Sequence, residues 1–152
     1  MAIKERVTFY SESDEVIGTI FIPEGLTEYE RWAGVVFAGG YIATKEMGYG
    51  PAEDLSAEGY VALTFDYRGG TGESKLRGVA NPPDAVRLFP EACVQDVRSA
   101  VTYLCTRKEV DPEKIGVLGQ SAGASYVVSA AAAEPKVKCV ISEGGRGWIP
   151  LG

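Results

Sequence analysis

The chain has 152 residues, enough for one domain with a core of its own and short for two. It is 45% hydrophobic and 24% charged, an ordinary globular balance, and a net charge of −6 argues against nucleic acid or an anionic membrane as partner. The three cysteines, Cys93, Cys105 and Cys139, lack CxxC spacing and the chain has no histidine. Reduced core cysteines in a cytoplasmic protein fit this better than a disulfide or a metal site.

The opening "MAIKERVTFY" carries no apolar run of the secretory kind, and "YVVSAAAA" (126–133) is too short to span a bilayer. "KERVTFYS" (4–11) and "EVIGTIFIPEG" (15–25) alternate apolar and polar residues around the turn-prone "SESD", which predicts an antiparallel hairpin. The pattern then changes. "AGVVFAGG" (33–40), "YVALTFDY" (60–67), "KIGVLGQ" (114–120) and "VKCVISEGG" (137–145) are almost continuous apolar runs, as in parallel strands buried on both faces.

Helical patterns lie between these runs. "PAEDLSAEG" (51–59) is a short helix closed by Gly59. "PEACVQDVRSAVTYLCTRKEV" (90–110) opens on Pro90 and sets Cys93, Val94, Val97, Ala100, Val101, Leu104 and Cys105 on one face. "SAGASYVVSAAAAEP" (121–135) is the third. The alternation predicts a single α/β domain over 1–152, with a mostly parallel sheet and an N-terminal antiparallel hairpin. From Arg68 to Phe89, including "NPPD", a long irregular loop is expected.

"GQSAG" (119–123) matches G-x-S-x-G where an apolar strand meets a helix. A turn this tight leaves no room for β-carbons at Gly119 and Gly123, and it raises the Ser121 hydroxyl above the sheet edge. The following helix directs unpaired N–H groups and its positive dipole end toward the same spot. "VVFAGGYIATKE" (35–46) follows the third strand, and in a hydrolase of this topology that loop donates one N–H to an oxyanion hole while the residue after the nucleophile donates the other. By position these are Tyr41 and Ala122. A glycine-rich turn needed only for packing is the alternative.

The order of "VVFAGGYIATKEM", "LSAEGYVALTFDYRGGTGES", "PEACVQDVRSAVTYL" and "VDPEKIGVLGQSAG" resembles the N-terminal half of an α/β-hydrolase, of the esterase, peptidase and dienelactone-hydrolase-like branches. The resemblance spans about residues 16–145. It implies Ser121 as nucleophile, Tyr41 and Ala122 as oxyanion donors, a small-molecule acyl substrate and no cofactor. Many relatives carry histidine where this chain has Gly39. The family's acid and histidine usually follow strands seven and eight, whereas this chain stops after strand six.

A serine hydroxyl at neutral pH needs a base within hydrogen-bond reach. Lys45 and Lys75 are expected to be solvated and Asp66 to fix its own loop. Glu143 is a possible alternative acid, against a plain solvated carboxylate in the "SEGG" turn. Tyr60, Tyr67, Tyr103 and Tyr126 read as core or interface residues. Two functions stand: the nucleophile-bearing portion of a serine hydrolase whose acid and histidine come from another segment, or a catalytically incomplete binding module. In either case the strand at 137–143 becomes an apolar edge, blunted only by Lys136 and Lys138 and followed by Trp148, Ile149 and Leu151. It predicts pairing with a complementary C-terminal half or a second copy.

Overall fold

Alternation at the N-terminus produces the hairpin it predicts. β1 (Ala2–Ser11) and β2 (Asp14–Pro23) pair antiparallel across a two-residue turn in which Glu12 takes a φ of 55°. The computed structural model describes residues 2–25, 27, 29–77 and 88–145. The continuous apolar runs become β3 (Trp32–Ala38), β4 (Val61–Phe65), β5 (Val110–Gln120) and β6 (Val137–Glu143). One sheet results, in the order β1-β2-β4-β3-β5-β6, antiparallel through the β2–β4 pair and parallel beyond it. Parallel neighbours need crossover connections. These are α1 (Tyr49–Ala57), α2 (Pro90–Cys105) and α3 (Ala122–Ala133).

Strand β4 shows how the layers are made. Val61, Leu63 and Phe65 enter a large core with Val94, Val97 and Leu104 of α2, while Ala62 joins Phe21 and Ala52 in a smaller core under α1. The period-2 geometry of a strand thus feeds two helical layers from one fully buried run. The helix expected over 90–110 ends at Cys105, and Val110 instead pairs with Trp32 as the first residue of β5. Helix propensity of "TRKEV" loses there to the sheet ladder, after Thr106 and Arg107 tighten the last turn onto the Tyr103 and Leu104 carbonyls.

Arg68, just past β4, is buried and ties three elements together. Its backbone N–H and Nε donate to Asp96 of α2 at 3.0 and 2.6 Å, and Nη1 donates to the Ser11 carbonyl at 3.1 Å in the hairpin. Burial pushes the Asp96 carboxyl above its ordinary pKa, against the hydrogen bonds from Ser11 and Arg68. Such a pair fixes a register more than it adds net stability, because both charges are desolvated.

β6 is the edge strand, with Val140 and Ile141 exposed at 41% and 50%. Burial on both faces therefore holds for β4 and fails for β6. Among the described residues α1 packs mainly against β4, β2 and β1. An open apolar trough of about 430 Å³ is lined by Val35, Leu55, Tyr60, Gly116, Cys139 and Ile141. Trp148, Ile149, Leu151 and "NPPD" lie outside the described residues. Among the described residues no helix is long and apolar enough to cross a membrane.

Candidate active site

Strand β5 ends at Gln120 and α3 begins at Ala122, so the whole reversal falls on Ser121, at φ 57° and ψ −121°. A non-glycine residue in this region costs about 1–3 kcal/mol and persists only where its surroundings enforce it. The surroundings do. A β-carbon on Gly123 would stand 2.1 Å from the Ala38 carbonyl oxygen, and one on Gly119 would stand 2.3 Å from that of Gly123. The helix start is thereby seated directly on the end of β3. The Ser121 N–H donates to the Glu143 carbonyl at 2.8 Å, so β6 holds the turn from its other side.

The loop after β3 lies against this serine. A β-carbon on Gly40 would be 3.3 Å from Ser121 Cβ and 3.6 Å from its Oγ. Gly40 to Ala43 forms a turn closed by the Ala43 N–H on the Gly40 carbonyl at 3.2 Å. Among the described residues the amides of Tyr41 and Ala122 donate to no acceptor. For Ala122 this follows from its place in the first helical turn, where N–H groups have no intrahelical partner. One amide next to the serine in the chain and one in the loop packed against it are thus left without acceptors among the described residues.

Residues outside the G-x-S-x-G turn hold the loop in place. The buried Tyr67 hydroxyl donates to the Gly39 carbonyl at 3.0 Å, and burial keeps its pKa well above 10, so it remains a donor. Asp66 accepts from the Lys45 N–H at 2.7 Å, from Lys45 Nζ at 3.0 Å and from the Glu73 N–H at 2.9 Å. The expectation of a solvated Lys45 is overturned, since the side chain is only 6% exposed and also pairs with Glu46 and Glu73. Burial works against its charge, but hydrogen bonds to Glu73, Glu46 and Asp66 outweigh it and raise the ammonium pKa. Asp66 does more than fix its own loop, because it joins the residues after Tyr41 to the segment at Glu73. Lys75 is exposed, as expected.

Glu143 touches the site through its backbone. Its carboxylate is exposed and makes no hydrogen bond or ion pair among the described residues, and neither does the Ser121 hydroxyl. Beside the serine opens a cleft of about 400 Å³ lined by Phe37, Tyr41, Ile42, Ala43 and Met47. Among the described residues no cluster of His, Cys, Asp or Glu is arranged to hold a metal.

Residues 52–146, more than half of the chain, match the prolyl oligopeptidase family. The chain belongs to the prolyl oligopeptidase family. The matched span runs from α1 through β6 and contains Asp66, Tyr67 and Ser121, while the Gly39–Thr44 loop lies before it. The chain is 27% identical over 139 residues to an uncharacterised 31.7 kDa protein of the traX-finO intergenic region of Escherichia coli, covering 91% of this chain and 45% of that one. It is 31% identical over 125 residues to the 2,6-dihydropseudooxynicotine hydrolase of Paenarthrobacter nicotinovorans, covering 82% of this chain and 30% of that one. In structure it is similar to acetyl xylan esterase 1 of Thermoanaerobacterium sp., with a TM-score of 0.78 at 20% identity over 95% of this chain and 48% of that one. The fold of this family member is that of the α/β-hydrolases, and the chain spans less than half the length of these relatives.

Proposed function

We propose that this prolyl oligopeptidase family chain is the nucleophile-bearing portion of a cytoplasmic serine hydrolase acting on an ester, thioester or amide. One observation carries the reading: Ser121 is held in a strained left-handed turn with the Gly40 loop against it, and the Tyr41 and Ala122 amides have no acceptor among the described residues. A fold has no reason to keep 1–3 kcal/mol of strain, on the order given for such residues, at a turn with no chemistry to perform. The similarity to a named hydrolase supports the same class.

In this mechanism Ser121 Oγ attacks the substrate carbonyl as a histidine takes its proton. The C–O double bond opens to an oxyanion that accepts from the Tyr41 and Ala122 N–H groups. Collapse breaks the bond to the leaving alcohol, thiol or amine, which receives the histidine's proton. Water then repeats the sequence on the acyl-serine, with the oxyanion hole as the main electrostatic contribution. Since the sequence contains no histidine, that base and its acid come from a further segment. Glu143, whose backbone carbonyl accepts from the Ser121 N–H, is the alternative acid.

A fluorophosphonate probe tests the proposal on the protein that carries the further segment, with peptide mapping of the adduct. Modification at Ser121, abolished in Ser121→Ala, is the expected result. An adduct elsewhere, or none, would overturn it.

The β6 edge and the trough beside it are the surfaces on which the further segment would seat. Their exposed backbone groups and apolar side chains invite pairing with that segment or, failing it, with β6 of a second copy. As the bare 152-residue chain the protein is expected to sediment above its 16.2 kDa monomer mass. Val140→Lys with Ile141→Lys should return it to a monomer. A wild-type chain that sediments as a monomer at all concentrations removes this part of the proposal.

A further inference from the structure

The cleft beside Ser121 has a composition that the reaction alone does not explain. Ile42 and Met47 are 65% and 62% exposed, and both line it together with the buried Phe37 and with Ala43. Large apolar side chains left in water forgo a burial gain of about 25 cal/mol per Å². Here they line one concavity, together with the residue proposed as nucleophile. Among the described residues no charged side chain lines the cleft. The cation nearest in sequence, Lys45, is buried and committed to Asp66, Glu46 and Glu73, and so offers nothing to an anionic substrate. At about 400 Å³ the space is that of a small-molecule site.

We infer that this cleft seats an uncharged apolar chain of the substrate, a medium-length acyl chain or the alcohol part of the ester, and discriminates against chains that end in a carboxylate. The inference rests on Ser121 being the nucleophile only for its link to turnover, since binding in the cleft needs no reaction. Ile42 and Met47 are the specificity-determining residues. Each methylene added to the chain is expected to tighten binding about three- to fourfold until the cleft is filled.

Composition supplies a clean readout, because the chain has only two methionines, Met1 and Met47. In Ser121→Ala protein labelled at the methionine methyl groups, the Met47 resonance is assigned by its loss in Met47→Leu. Methyl hexanoate and hexyl acetate separate the two sources of the chain, and monomethyl adipate is the carboxylate-ended control of equal length. The expected result is a saturable shift of the Met47 resonance with one or both neutral esters, at least tenfold weaker with monomethyl adipate. Ile42→Asp should reduce the neutral-ester shift by a similar factor. No shift with either neutral ester, or an equal shift with monomethyl adipate, would overturn the inference. Because the readout is taken without the hydroxyl, a failure of fluorophosphonate labelling would count against the nucleophile alone and leave this result standing.

Discussion

Replacing Ser121 with glycine is expected to abolish acyl transfer and, at the same time, to make the fold more stable. The serine occupies φ 57°, ψ −121°, where a β-carbon is strained by about 1–3 kcal/mol. Glycine removes that strain, but it also frees the unfolded chain and so gives back roughly 0.5–1 kcal/mol. The net gain should be about 1 kcal/mol, read as a higher urea midpoint at unchanged slope. Ser121→Ala keeps the β-carbon and the strain, and should unfold at the wild-type midpoint. Both variants lose the nucleophile, and turnover should fall by on the order of 10⁴ or more, as when a serine of a catalytic triad is removed. A glycine variant less stable than the alanine variant would show that the turn is not strained by its side chain, and the main support for a reactive serine would be gone.

The tight turn at Ser121 was legible because its signature is local. Gly119, Ser121 and Gly123 sit within five residues, and the clash that forbids a β-carbon on Gly119 arises inside the turn, against the Gly123 carbonyl, although the one that forbids it on Gly123 comes from Ala38 at the end of β3. The hairpin and the parallel strands were legible for the same reason, since their periodicities are read within single segments. What supports the loop at Tyr41 was not. Lys45 finds Asp66 across 21 residues and Tyr67 finds the Gly39 carbonyl across 28, and neither pairing leaves a signal in its own neighbourhood. A lysine in a loop reads as solvated until three carboxylates are brought around it. A tyrosine in "FDYRGG" reads as core, which it is, while its hydroxyl does separate work. The boundary at Cys105 failed for a related reason: Val110 has an apolar place in either a helix or a strand, and only the Trp32 pairing decides between them.

Tyr41→Pro is expected to lower kcat by about 10²–10³ while leaving the fold intact, the loss that follows removal of a single oxyanion donor. The substitution suits this position unusually well. Tyr41 is the second residue of the Gly40–Ala43 turn, the place where proline is favoured, and the residue before it is glycine, which tolerates a following proline. Its N–H donates to no acceptor among the described residues, so no ladder or turn bond is lost with it. Tyr41 is 52% exposed and contributes little to the core. Stability should therefore change by less than about 1 kcal/mol, as for a surface substitution away from special features. Tyr41→Phe keeps the amide and should retain near-wild-type kcat, which separates the backbone donor from the phenol. If both variants lose activity alike, the hydroxyl or ring is the working group. If neither does, the oxyanion is held elsewhere, and the loop after β3 serves only to seat α3. A proline variant that keeps its unfolding midpoint, loses 10²–10³ in kcat and holds KM within a few fold would mark an interaction made in the transition state and not in the bound substrate.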